Sequence, residues 1–301
     1  MQEIGFVGVG RMGANMARRL KECGYPVVAI YDTQASLAES LAEELDSQAI
    51  QSLAEVTRLS DVIFTVVPDD QAMRDIYFAQ GDNLFTNAQG KLFINCATIT
   101  PDVHVELAEA AQKLGAKTLE TPMASSILQA RGGTLFLMVA GEPAVYESAQ
   151  ALLKQLSAQM VYTGKPGSAA QFKALVNMVM NINTAALAEG LGLADALGLD
   201  LNLVRQVFAQ TGANSRVLET DAEDMQNREH ETYFSVAHAT KDCRIALVLG
   251  QAKGLPMPLT QTTTKEYESL ERLGLGQIDK SGISELTFKS RIQDHQPVLQ
   301  T

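Results

Sequence analysis

Cysteine and positive charge are both scarce in this 301-residue chain. Cys23, Cys96 and Cys243 show neither metal-ligand spacing nor the even count of a disulfide framework, which excludes a thiolate metal centre and a cross-linked secreted scaffold. A reducing, cytoplasmic compartment is the expectation. Lys and Arg total 24 against 35 Asp and Glu, a formal net charge of −11, so the general attraction to phosphate backbones and anionic membranes is missing. Neither a nucleic-acid nor a membrane partner is expected. His104, His230, His238 and His295 are too dispersed for a metal site, and none is expected. Met1-Gln2-Glu3 leads straight into an apolar run without the basic start or cleavage site of a signal peptide. The most apolar stretch, Ser168 to Gly198, holds Lys173, three asparagines, Glu189 and Asp195. It is too polar to face lipid, and reads as a long helix buried on most sides. Repeats and low-complexity tracts are also lacking, and the residues after Arg291 read as a frayed tail.

What is present is a globular composition, 46% apolar and 20% charged, with room for one or two domains. Short β-branched runs alternate with amphipathic segments up to about residue 163. The predicted strands are Ile4 to Val9, Val27 to Tyr31, Val62 to Val67, Leu92 to Asn95, Lys117 to Glu120, Leu135 to Val139 and Met160 to Thr163. Met12, Met16 and Leu20 recur at helical spacing between the first two. After Gly164-Lys165-Pro166-Gly167 the pattern is helical, with breaks at Gly198, Gly212 and Leu255 to Pro258. The fold class is therefore an α/β Rossmann domain with a mainly parallel sheet, residues 1–163, followed by an all-α C-terminal domain, 164–301, joined by a long interdomain helix.

Gly8-Val9-Gly10-Arg11-Met12-Gly13 has the Gly-x-Gly-x-x-Gly spacing directly after a strand and at the start of a helix. The first glycine permits a tight turn, the second lets backbone approach a pyrophosphate, and the third allows close helix packing. Asp32 ends the second strand 22 residues past Gly10, where a carboxylate accepts the ribose hydroxyls. A 2′-phosphate would meet like charge there, and no basic residue follows until Arg58. NAD is expected rather than NADP. Val67 at the end of the third predicted strand, Pro68 just after it and Thr98 after the fourth are further cofactor candidates.

Lys173 and Asn177 lie four apart on one helical face, with Asn181 a turn further. From spacing alone, this polar stripe reads equally as interhelical hydrogen bonding with a snorkelling lysine or as a site. Four motifs in order give the chain its resemblance to the β-hydroxyacid dehydrogenase family. They are the glycine fingerprint continuing as Gly13-Ala14-Asn15-Met16-Ala17, the segment around Pro122 and Gly133-Thr134-Leu135, Gly164 to Asn177, and Lys241-Asp242. The resemblance implies a catalytic lysine and asparagine at Lys173 and Asn177. It also implies that Lys241 closes the nicotinamide side, that Asp242 lies at the cleft, and that Phe234 lines the substrate pocket. Dimers or tetramers are implied as well. Hydride transfer at an alcohol carbon requires a proton to leave or join the oxygen, and a lysine serves if burial and the oxidised nicotinamide disfavour its ammonium form.

Family members usually read Asp-Ala-Pro-Val-Ser-Gly-Gly at the substrate loop, where this chain has Glu120-Thr121-Pro122-Met123-Ala124-Ser125-Ser126. Two added Cβ atoms and hydroxyls change an anion-binding loop that glycine would leave open. Met123, Ala124, Ser125 and Ser126 remain the substrate-loop candidates. Either a serine caps the next helix, or the hydroxyls bind a different head group. The expected activity interconverts a small β-hydroxy acid, or related anionic alcohol, and its semialdehyde. The rival readings are an imine reductase-like enzyme, which the lysine opposes, and a non-catalytic dinucleotide sensor.

Overall fold

The computed structural model describes residues 2–299, with side chains as far as 295. They group into two compact units that divide between Lys173 and Ala174. In the first, strands and helices alternate: β1 (Ile4–Val7), α1 (Arg11–Glu22), β2 (Val27–Tyr31), α2 (Ala35–Leu45), β3 (Gln48–Ala49), α3 (Leu53–Leu59), β4 (Val62–Thr65) and α4 (Asp70–Phe78). The series continues with β5 (Leu92–Asn95), α5 (Pro101–Lys113), β6 (Lys117–Glu120), α6 (Ile127–Gly132), β7 (Leu135–Gly141), α7 (Pro143–Leu156) and β8 (Ser157–Gly164). One sheet runs in the order β3-β2-β1-β4-β5-β6-β7-β8. All neighbours are parallel except β6 and β7, so the mainly parallel expectation holds.

Both faces of the sheet are covered, which is why its strands are continuous apolar runs. Within β4, Val62 and Phe64 join a core with Met16 and Leu20 of α1, Leu41 of α2 and Leu152 of α7. Ile63 points the other way, toward Met73 and Ile76 of α4 and Val103 and Leu107 of α5. Phe6 pairs with Phe64 across β1 and β4, and their rings stack at 5.1 Å. Each such fully buried side chain contributes about 2 kcal/mol.

Two predicted strands end early, β1 at Val7 and β4 at Thr65, because Gly8 and Val66 already belong to the turns beyond. Strands β7 and β8 run longer than expected, and β3 is exposed and two residues long, without an apolar pattern to reveal it. The strand order reverses between β1 and β4, so a crevice lies beyond their carboxyl ends.

The dividing point falls inside α8 (Ser168–Ala196). The second unit continues with α9 (Leu201–Ala209), α10 (Arg216–Asn227), α11 (Val236–Ala252), α12 (Pro258–Arg272), a 3-10 helix (Lys280–Leu286) and α13 (Lys289–Leu299). Its core joins Leu187 and Leu191 of α8 to Met225 of α10, Val236 of α11 and Tyr267 of α12. A break that the sequence pattern missed ends α10 at Arg228, which is left-handed with φ 62°. It carries no glycine signal, and the Arg228 guanidinium is instead tied to Glu285 at 2.7 Å.

Two expectations need correction. The segment after Arg291 is not frayed: α13 runs to Leu299, with Arg291 bonded to Ser284 at 2.9 Å and His295 to Glu285 at 3.1 Å; positions 300 and 301 lie outside the described residues. Nor is α8 buried on most sides, because Phe172, Leu175, Val176 and Val179 form an exposed apolar stripe at helical spacing. Among the described residues no helix is long and apolar enough to cross a membrane.

Candidate functional site

The glycine turn forms as the chain leaves β1. Gly8 has φ +86°, and a Cβ there would stand 2.3 Å from the Val66 carbonyl oxygen, while one on Gly13 would stand 2.1 Å from that of Gly8. Packing alone therefore demands these two glycines. Gly10 differs: its φ is −63°, and a Cβ on it would meet nothing within 4 Å. Packing within the chain does not require glycine at 10, and the turn there is open to an approach from outside. Gly10 is the N-cap of α1 and bonds no side chain to it, and the first turn has no acidic residue. The amides at that end suit an anion. Arg11 is exposed and Met12 half-buried beside them.

Asp32, one residue beyond β2, accepts Val9 N–H at 2.8 Å and Gln34 N–H at 2.9 Å, one on each carboxylate oxygen. These bonds orient the carboxylate and tie it to the glycine turn. Val67 and Pro68 follow β4 and Thr98 follows β5. Parallel strands thus bring the cofactor candidates to one edge of the sheet, and the open glycine, uncapped helix and oriented carboxylate fit a dinucleotide.

The loop from Met123 to Ser126 is held against β7 by Ala124 N–H donating to Phe136 O at 3.0 Å and Met138 N–H donating to Pro122 O at 3.1 Å. Ser125 spends its hydroxyl inside the loop, donating to Ala124 O at 2.6 Å and accepting Phe136 N–H at 3.0 Å. Ser126 forms a capping box with Gln129, its N–H donating to Gln129 Oε1 at 3.1 Å. The hydroxyls that replace two glycines thus make internal bonds, which favours the capping reading of the loop.

Lys173 is 8% exposed on α8. The start of that helix is held by a residue that the sequence pattern did not single out. Glu120, 3% exposed at the end of β6, accepts the N–H groups of Gly167 and, at 3.1 Å, Ala170. Burial pushes its carboxyl up to about 7, opposed by the bonds from Gly167, Ala170 and Ala169. The signal that could have found it is indirect: the first turn of α8 has no acidic residue of its own.

In the second unit, Asn177 is 1% exposed and its side-chain amide donates to Asp242 on α11. Asp242 is equally buried and paired with Lys241 at 2.9 Å. Asn181 donates to Ala239 O and Cys243 Sγ, both at 3.3 Å, and joins α8 to α11. Phe234 precedes α11 and stacks on His238 at 6.0 Å. Asp279, at the foot of the 3-10 helix, fixes its backbone by accepting Tyr233 N–H at 3.0 Å and Phe234 N–H at 2.9 Å.

Comparison with known proteins agrees with this layout. Residues 3–164 match the family described as the NAD binding domain of 6-phosphogluconate dehydrogenase, and residues 167–287 the one described as NAD-binding of NADP-dependent 3-hydroxyisobutyrate dehydrogenase. The chain is 29% identical to the 2-hydroxy-3-oxopropionate reductase of Escherichia coli (strain K12), over 93% of this chain and 95% of that protein. It is 26% identical to the cytokine-like nuclear factor N-PAC of Anopheles gambiae over 93% of its own length, but spans only about half (49%) of that relative. The structure of Mycobacterium tuberculosis 3-hydroxyisobutyrate dehydrogenase with L-serine superposes with a TM-score of 0.86 at 26% identity, covering 95% of this chain and 98% of that one.

Proposed function

Because the chain belongs to the β-hydroxyacid dehydrogenase family, we propose that it is an NAD-dependent oxidoreductase interconverting a small anionic β-hydroxy acid, or a related anionic alcohol, with its aldehyde or semialdehyde. The relative named 2-hydroxy-3-oxopropionate reductase supports that substrate class. Lys173, only 8% exposed at the position where the family resemblance puts a catalytic lysine, is the observation that carries the reading.

When bound, the nicotinamide donates or accepts the hydride. The glycine turn and the first amides of α1 hold its pyrophosphate, and Asp32 accepts the adenosine ribose hydroxyls. Lys173 Nζ takes the proton from the substrate hydroxyl in oxidation and returns it to the carbonyl oxygen in reduction. Asn177 orients the reacting group, Lys241 closes the nicotinamide side, and Asp242 and Phe234 line the substrate cleft. Met123 to Ser126 present backbone groups to the carboxylate. Residues 1–163 form the cofactor domain and 164–301 the helical domain of a cytoplasmic homodimer or homotetramer, the exposed stripe on α8 supporting assembly.

The test is nicotinamide absorbance with NAD and a panel of small hydroxy acids, and with NADH and semialdehydes. Lys173→Ala should lower kcat by ~10²–10⁴-fold and leave NADH affinity within about threefold. Wild-type turnover in that variant removes the lysine from the mechanism. NADH binding with no turnover of any panel member supports the sensor instead.

A further inference from the structure

The helix that carries Lys173 begins without an acidic cap of its own and borrows one from a strand 47 residues earlier. Both oxygens of the Glu120 carboxylate are used, Oε1 by Gly167 N–H and Oε2 by Ala170 N–H. Ala170 and Lys173 are three apart and therefore neighbours on one face of the same helix. A bond that fixes the rotation and height of Ala170 fixes those of Lys173. We propose that Glu120 is a positioning residue: its carboxylate clamps the first turn of α8 to β6 and so sets the placement of Lys173. This rests on the proton-transfer role given to Lys173 above.

Only a carboxylate meets both amides, because a carboxamide or a protonated acid turns a donor toward one of them. The second anchor of the turn is weaker and neutral: Thr163 shares a hydroxyl bond of 2.9 Å with Ser168. The clamp also carries a cost. Burial raises the Glu120 carboxyl from 4.5 to about 7, so the fold loses stability as pH rises between those values. That cost accompanies the form that binds both amides. Ionisable neighbours do not supply it: burial keeps the Cys96 thiol after β5 protonated, at about 12, and the His104 imidazole on α5 neutral, at about 3. Glu142 after β7 and Lys165 before α8 are exposed or half-exposed, as are Tyr146, Glu147 and Lys154 of α7, and Lys173 itself is the nearest cation along the helix.

Two measurements decide the matter. Hydrogen exchange across 164–173 needs no substrate: Glu120→Gln should lose about tenfold protection there relative to the wild type. Kinetics with NADH and succinic semialdehyde or glyoxylate should show Glu120→Gln losing ~10–100-fold in kcat, with KM for NADH within about twofold. The wild-type limb near pH 7 should vanish in Glu120→Gln and persist in Glu120→Asp. Unchanged protection, or a wild-type kcat and pH profile in Glu120→Gln, overturns the proposal. If Glu120→Gln does not fold, wild-type exchange still decides: the Gly167 and Ala170 amides should be protected, and exchange of both at the rate of free amides is the overturning result. Wild-type turnover by Lys173→Ala beside lost protection in Glu120→Gln overturns the lysine reading, and the positioning role with it, while leaving the clamp measured.

Discussion

Asn177 donates its side-chain amide to Asp242, 65 residues away on another helix, and both are 1% exposed. Asp242 thus serves Asn177 and Lys241 together, and its loss leaves a buried amide and an ammonium without that acceptor. Asp242→Ala should cost ~2–4 kcal/mol and Asn177→Ala about 1 kcal/mol, measured by urea unfolding. The double variant should show a coupling of about 1 kcal/mol. Additive losses would mean that the bond carries no energy of its own.

Asp32 is aimed by two backbone amides and has no basic neighbour in sequence before Arg58. The wild-type kcat/KM should be higher with NADH than with NADPH. Asp32→Ser combined with Thr33→Arg should shift the ratio toward NADPH by about tenfold or more, by removing like-charge repulsion and adding a phosphate partner. A wild-type preference for NADPH contradicts this assignment of Asp32.

Leu175 and Val179 stand one turn apart in the exposed stripe of α8, at 53% and 51% exposure. A glutamate at each should yield a particle of single-chain mass by light scattering, with the far-ultraviolet dichroism of the wild type. An unchanged oligomer would place the subunit contact elsewhere.

Glu285 gathers Arg228 at 2.7 Å, Arg291 at 3.7 Å, His295 at 3.1 Å and His230 at 3.5 Å. Burial opposes its ionisation, but the bonds from His230, Arg228 and His295 prevail and pull its carboxyl from 4.5 to about 2. The folded value lies below the unfolded one. Its stabilisation is therefore complete above about pH 4.5 and is lost as pH falls toward about 2. The urea midpoint should fall across that window, and Glu285→Gln should flatten the fall; parallel curves for the two proteins would refute the assignment.

The sheet was legible because two buried faces impose unbroken apolar runs on strands such as Val62 to Thr65, and the glycine turn because backbone sterics leave few choices at Gly8 and Gly13. What escaped was held by distant partners. Arg228 ends a helix without glycine because Glu285 secures it, β3 has no apolar pattern, and Glu120 acts on amides 47 and 50 residues away. The exposed stripe of α8 was misread for a related reason. Apolar periodicity marks a face that avoids water without saying which surface covers it. Ser125 and Ser126 were read as substituents of an anion loop with two outcomes left open, and only Phe136 and Gln129, eleven and three residues on, show where their hydrogen bonds go.

Because the two compact units divide within the continuous helix α8, the chain cannot be dissected there into self-sufficient pieces. A cut after Lys173 would leave four carbonyls orphaned on one fragment and four amides on the other, and would part Lys173 from Asn177. For any fusion, permutation or split-protein design, the usable seam lies at the turn before Ser168, and a fragment starting there would lack the Glu120 carboxylate that meets its first amides.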